Sequence, residues 1–270
     1  MGIKYPDYPF ERLLEVEVKD SSLGKYRFDD SFPYLDKSFG YKFNMYVTGW
    51  AFKWLIASAW NRLHYGLRIK GREKLKKYRE ALADGAMCVC NHCYEMDALA
   101  VNHAVRPGRI LWIPMYAKHF NGSKCWYMRY MGGIPIPEEP SGVRPFNEAF
   151  DEFHRRKGWM LVFPEAVRWN WYQPIRPFRP GAFSMAWKYN IPVIPFAITY
   201  RERKGLHKLF GPKEMPCITI TVGEPIFIDK TARRKEELNR VLRQAHGQMV
   251  SMAGIIENPW PAVLEEDEAV

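Results

Sequence analysis

The stretch AMCVCNHCYEMDALAVNHAV, residues 86–105, decides the fold. Its first five positions, Ala86 to Cys90, are apolar without interruption, as expected for a strand covered on both faces. Asn91, His92 and Cys93 end that run, and Asp97 stands at the start of a helical stretch, where a carboxylate can cap free N–H groups. Strand, short exit loop and helix in succession form the unit of an α/β layered fold.

The same alternation continues outward. ILWIPM (110–115), WMLVFP (159–164), IPVIPFAITY (191–200) and CITITV (217–222) read as further strands. Between them lie helical stretches. One carries Phe146, Phe150 and Phe153 on one face and stops at Gly158, and one follows Gly181. A last one over 232–253 repeats Leu238, Leu242, Ala245, Met249 and Met252 at steps of four and three. The expected fold is α/β: a mostly parallel or mixed sheet flanked by helices, without internal repeats. Pro192 and Pro195 put their strand's prolines at its start or on a sheet edge, because proline donates nothing to a ladder.

Toward the amino terminus the pattern changes. Residues 1–42 read as an acidic arm or irregular cap. FNMYVTGWAFKWLIASAWNRLHY (43–65) holds three Trp and only Lys53 and Arg62 as charges. On a helical wheel Phe43, Val47, Trp50, Trp54 and Ala57 share a face, opposite Asn44, Thr48, Ser58 and Arg62. Residues 62–79 then carry eight Lys or Arg and one acid. A core helix followed by a solvated basic one is one reading. The other is an amphipathic helix at a membrane interface, with indoles at headgroup depth and the basic run facing anionic lipid. Three Trp on one helix favour the second. The expected division is 1–42 arm, 43–80 membrane-interface helix and basic segment, 81–264 catalytic domain, and 265–270 acidic tail.

Composition narrows the function. Apolar residues are 47% and charged residues 26%, so disordered and collagen-like chains are excluded. No window approaches about 20 consecutive apolar residues, and mean hydropathy is −0.37, which excludes a polytopic transporter. Residues 1–36 hold eight acids against five bases, and Glu265, Glu266, Asp267 and Glu268 add four more acids. The overall +10 therefore becomes +17 over residues 37–264. Such a basic body suits an anionic partner, a phospholipid surface or nucleic acid. Five clustered cysteines do not make a disulfide framework, and residues 1–20 lack a secretory pattern, so a reducing cytoplasmic setting is expected.

Three motifs at expected strand exits and helix starts could carry chemistry. In Asn91-His92-Cys93-Tyr94-Glu95-Met96-Asp97, the Asp97 carboxylate can fold back onto the imidazole, fix one tautomer and favour the imidazolium, as a general base requires. Phe163-Pro164-Glu165-Ala166-Val167-Arg168 follows another strand, and Pro177-Phe178-Arg179-Pro180-Gly181-Ala182-Phe183 enters a helix. A zinc site on Cys88, Cys90 and His92 is disfavoured, since alternate strand residues lie about 6.6 Å apart and ligands stand only about 2.3 Å from the metal. Cys93 is a poor nucleophile, because neighbours in sequence point to opposite sides. Nucleic-acid binding finds only dispersed bases and no recognition motif.

In that order, and together with the Ile191-Pro192-Val193-Ile194-Pro195 strand, these motifs resemble the glycerolipid acyltransferase family, which acylates lysophosphatidic acid and related acceptors. Asn91, His92 and Asp97 match its N-H-x4-D motif. Phe163, Pro164, Glu165 and Arg168 match F-P-E-G-T-R, and Phe178, Arg179, Gly181 and Ala182 match F-K-x-G-A. The likeness covers roughly residues 68–225. It implies His92 as general base oriented by Asp97, with Glu165, Arg168, Lys118, Arg144 and Arg179 serving the acceptor and its phosphate. Within that set, Glu165 would hold the exit loop and Arg168 would reach the phosphate; a structural Glu165–Arg168 ion pair is the other reading.

Two departures stand out. Glu138 occupies the place of a family cation, and Ala166 and Val167 replace Gly and Thr. The expected reaction is acyl transfer from acyl-CoA, acyl carrier protein or acyl phosphate to lysophosphatidic acid, with no cofactor. The alternatives are a less anionic lysolipid acceptor or a catalytically silent lipid-binding relative. The expected partners are an anionic phospholipid membrane, the lysophospholipid and, as one donor, acyl carrier protein. The expected place is the cytoplasmic face of the cell membrane, held peripherally or monotopically, without nucleic acid.

Overall fold

A computed structural model describes residues 26–51, 58–106, 109–120, 125–209 and 215–264. The helices are α1 (Phe39–Ala51), α2 (Ser58–Leu63), α3 (Glu73–Lys77), α4 (Asp97–Val105), α5 (Cys125–Tyr130), α6 (Pro140–Arg155), α7 (Gly181–Tyr189) and α8 (Arg234–Ala253). The strands are β1 (Arg68–Lys70), β2 (Ala86–Cys90), β3 (Leu111–Met115), β4 (Gly133–Pro135), β5 (Trp159–Val162), β6 (Val193–Arg201) and β7 (Cys217–Val222). They form one sheet in the order β1-β7-β6-β2-β5-β3-β4, parallel throughout except for the β6–β7 pair. The mixed α/β sheet expected from the sequence is therefore present.

Side chains alternate between two apolar layers, as pleating requires. Met87, Val89, Val193 and Ala197 meet α6, α7 and α8 through Phe150, Phe153, Phe183, Leu242 and Met249. Cys88, Cys90, Ile194, Phe196 and Ile198 point the other way, onto Ala100, Val101 and Ala104 of α4. Each of β2, β5 and β6 is thus buried on both faces, which is why its sequence reads as a continuous apolar run rather than as alternation.

Three expectations change. Pro195 lies within β6, third of seven strands, and not at an edge. Its carbonyl accepts from Gly223 N–H (2.8 Å), so its missing donor faces β7 at the place where β7 has ended; the β6–β7 ladder begins one residue later, at Phe196. Proline is tolerated there because no ladder partner is lost.

Second, the basic run is not one continuous helix but spans the end of α2, β1 and α3. It supplies β1, whose Ile69 pairs with Ile220 in the seven-stranded sheet. Third, Phe28, Phe32 and Tyr34 are buried in the main core, packed edge to face, so this part of the arm is integral to the fold. Of the stretch 43–65 expected as one helix, residues 43–51 lie in α1 and 58–63 in α2. Residues 52–57, with Trp54, lie outside the described residues, as do residues 1–25 and 265–270.

Candidate active site

His92 stands just beyond the carboxyl end of β2, between β5 and β6. Asn91 sets its position. Its side-chain Oδ1 accepts from Ile198 N–H (2.8 Å) and its Nδ2 donates to Ile198 O (3.0 Å), so the amide replaces a missing ladder step between β2 and β6. The chain then turns, and the His92 ring stacks on Phe163 at the exit of β5, with centroids 4.3 Å apart.

Asp97, in the first turn of α4, reaches back so that its Oδ2 holds His92 Nδ1 in a short hydrogen bond, while its Oδ1 accepts from Ala98 N–H (2.7 Å). The carboxylate is 3% exposed and the imidazole 20%. With Nδ1–H donating to Asp97, the tautomer is fixed and Nε2 carries the lone pair. The arrangement is that of a general base presented to a ligand and backed by a buried carboxylate.

Both Glu165 oxygens are engaged within the protein. Oε1 accepts from Arg176 N–H (2.9 Å). Oε2 accepts from Arg176 Nη2 (2.8 Å) and from His92 N–H (2.9 Å). The pair is almost wholly buried, at 1% and 2% exposure. Arg176 Nη2 donates further to His92 O (3.4 Å) and, through a short bond, to Val167 O, and its guanidinium lies over the Trp169 ring. The two partners therefore grip His92's backbone from both sides, N–H by the carboxylate and C=O by the guanidinium.

Arg176 was not among the residues the motifs suggested. Its only sequence signal is a lone arginine before Pro177, and the alternative Glu165–Arg168 ion pair is replaced by Glu165–Arg176. The separate expectation that Glu165 holds the exit loop fits this geometry.

Arg168 is exposed on the loop after β5, and Arg179 is exposed beside it, its N–H donating to Pro164 O (2.9 Å). These two cations flank the strand exit where His92 lies. Arg144 is 86% exposed on α6 and faces Glu148 at 3.8 Å; no described contact joins it to His92, Arg168 or Arg179. Lys118 falls in the 3₁₀ turn Ala117–Phe120, and its side chain lies outside the described ones. Glu138 is exposed just after β4.

Ala166 adopts φ 63°, the left-handed region in which a Cβ crowds the following carbonyl. The Gly expected there by resemblance would relieve that contact. Ala166→Gly should therefore stabilise the folded state by about 0.5–1 kcal/mol, the strain relieved exceeding the entropy gained by the unfolded chain. Urea unfolding checks the sign, and a fall in midpoint would contradict it.

Cys93 is 2% exposed, and burial pushes its thiol well above its ordinary range, so it offers no thiolate. Its carbonyl accepts from Trp171 N–H (2.7 Å) and Tyr200 O–H (3.2 Å), which ties the exit loop to β6 and to the loop after β5. Among the described residues no group of three or more His, Cys, Asp or Glu converges as metal ligands would.

Comparison with known proteins gives the following. The acyltransferase family model matches residues 66–199. The 1-acyl-sn-glycerol-3-phosphate acyltransferase of Saccharomyces cerevisiae is 22% identical over 196 residues, 70% of this chain and 61% of the yeast protein. An uncharacterized acyltransferase of Schizosaccharomyces pombe is 24% identical over 213 residues, 76% of this chain and 70% of that protein. The chain thus spans about three fifths of the yeast relative's length. Among solved structures, the 1-acyl-sn-glycerophosphate (LPA) acyltransferase of Thermotoga maritima aligns with a TM-score of 0.46 at 19% identity, covering 79% of this chain and 84% of that one.

Proposed function

We propose that this chain, whose residues 66–199 match the acyltransferase family model, is a glycerolipid acyltransferase that moves a fatty acyl group from a thioester or acyl phosphate to the free hydroxyl of lysophosphatidic acid, giving phosphatidic acid. The observation that carries this reading is the buried Asp97 carboxylate on Nδ1 of an imidazole that remains partly exposed at the carboxyl end of the sheet. His92 Nε2 takes the proton of the acceptor hydroxyl as that oxygen attacks the acyl carbonyl. Asp97 balances the positive charge that develops on the ring. When the tetrahedral intermediate collapses, the imidazolium returns the proton to the departing thiolate or phosphate. Positioned proton transfer of this kind supplies on the order of 10²–10⁴-fold. Purified protein with a labelled acyl donor and a panel of lysolipids, read by mass spectrometry, tests it; no acylated product from any donor would leave the silent-relative alternative.

The acceptor's phosphate falls to Arg168 and Arg179, the two exposed cations beside the strand exit, with Arg168 as a planar two-point donor. Glu138 replaces a family cation, which favours a second reading with a less anionic acceptor. Its solvent exposure supports the first, since water screens its repulsion. In the phosphate reading Arg168→Ala should raise KM for lysophosphatidic acid about tenfold or more, the worth of a charge-assisted hydrogen bond, and leave zwitterionic lysolipids nearly unaffected. Refusal of lysophosphatidic acid by the wild type, with acceptance by Glu138→Arg, would transfer the assignment to the second reading.

The protein is proposed to sit peripherally on the cytoplasmic membrane face. Support comes from α1, where Phe39, Phe43, Tyr46 and Val47 fall on one face and are 83%, 55%, 75% and 49% exposed. No helix among the described residues is long and apolar enough to cross a membrane.

A further inference from the structure

A second set of exposed apolar side chains lies at the same end of the sheet as His92. β6 runs parallel to β2, so the connection after Arg201 leaves the sheet at the end where His92 stands. In that connection Leu206, within the 3₁₀ turn Gly205–Lys208, is 72% exposed and the following Leu209 is 76% exposed. Close by, α2 shows Trp60 at 47% and Leu63 at 53%.

The two segments are distant in sequence but locked together. Arg203, 9% exposed, donates to His64 O (2.6 Å), to His207 O (3.0 Å) and to Met215 O. His207 also packs against Gly66, where an added Cβ would meet its Nδ1 at 3.2 Å. One buried guanidinium thus ties residues 203–207 to the chain that leaves α2, although Leu206 and Leu209 bury little within the protein. Lys204 and Lys208 flank Leu206 in the chain, and further exposed cations lie on α2 and β1. Arg62, Arg68, Lys204 and Lys208 are exposed, against Glu202, 3.9 Å from Lys204, and Glu95, which Tyr65 O–H binds at 2.7 Å.

We infer that residues 204–209, together with α2, are a second contact of this protein with an anionic phospholipid surface: Leu206 and Leu209 enter the interface while Lys204 and Lys208 face the headgroups. Exposed apolar side chains flanked by Lys and Arg are the chemistry that such a surface binds. The inference rests on the lipid-acceptor reading above and adds a contact outside α1. Two contacts linked through one rigid body bind more tightly than either alone and fix orientation. The 204–209 contact turns the end of the sheet that carries His92 toward the bilayer in which the acceptor lies.

The test is sedimentation with vesicles of phosphatidylcholine, with and without one quarter phosphatidylglycerol. It compares the wild type with Leu206→Ser/Leu209→Ser and Lys204→Glu/Lys208→Glu. All four side chains are exposed, so both variants should keep the wild-type melting curve. The leucine variant should partition about tenfold or more weaker into both vesicles, since two leucines no longer leave water. The lysine variant should lose about tenfold on the anionic vesicles only.

Both variants should still acylate a monomeric short-chain lysolipid at the wild-type rate. Unchanged partition of the leucine variant overturns the inference. So does a wild-type dimer that the leucine variant loses while vesicle binding persists, since the turn would then serve a second copy. Vesicle binding through the turn without acyl transfer defeats the proposed function and leaves this inference standing. Transfer by a turn variant that partitions as the wild type does the reverse.

Discussion

Replacing His92 by Ala should lower the acyl-transfer rate 10²–10⁴-fold while the protein still folds. In the proposed reaction the acceptor is an alcohol, a weak nucleophile at neutral pH, and Nε2 of His92 is the base presented to it. Folding should survive because the imidazole is partly exposed, and its main packing contact, Phe163, keeps its other neighbours. Asp97→Asn should cost a similar factor for a different reason. The amide fills the same space but carries no charge to balance the developing imidazolium, and it can donate to Nδ1 and so set the wrong tautomer. A steady-state assay with saturating donor measures both, alongside circular dichroism and thermal melts. Full activity in a folded His92→Ala protein would end this mechanism.

The second large effect is on stability. Arg176→Met should destabilise the fold by about 3–5 kcal/mol, because it leaves the Glu165 carboxylate buried and unpaired. That is a sizeable part of the roughly 5–15 kcal/mol that holds a domain together. Glu165→Gln should be costly for the mirror reason, an uncompensated guanidinium, whereas the double variant Glu165→Gln/Arg176→Met should recover much of either loss. Guanidinium unfolding of the four proteins closes the cycle; strictly additive losses would show that the pair does not act as a unit.

Arg176→Lys adds a test of the grip on His92. A single ammonium cannot reproduce the planar fork that reaches Glu165, Val167 O and His92 O together. It should therefore lower kcat more than KM in whatever fraction of the protein remains folded. A wild-type kcat would reduce Arg176 to a purely structural element.

The layered fold was legible because its signals are local. The runs at 86–90 and 159–162 are apolar on both faces, 217–222 alternates β-branched Ile and Thr, and the heptad-like steps of α8 need no distant partner to be recognised. β1 and β4 were not legible. Each is three residues long, one charged on both outer positions and one ending in proline, and only pairing with β7 and β3 makes them strands. The burial of Phe28, Phe32 and Tyr34 was hidden for the same reason: their neighbours in sequence are polar, and the core they complete lies more than a hundred residues away on α6.

The candidate site divides in the same way. The sequence by itself determined the His92–Asp97 pair, because a strand exit followed by one helical turn spans that spacing whatever the rest of the chain does. It also determined that cations stand on the loops after β5, since Arg168 and Arg179 lie beside the motifs that place them. The tertiary structure alone decided Glu165's partner. Arg176 wins over Arg168 because the loop from Ala166 to Arg176 folds back under the exit of β2, where Trp169 N–H meets His92 O and Trp171 N–H meets Cys93 O. That path buries Arg176 beside the carboxylate and leaves Arg168 in water. Such a choice is made by long-range packing and the desolvation of one charge against another, and neither is encoded in the spacing of a motif.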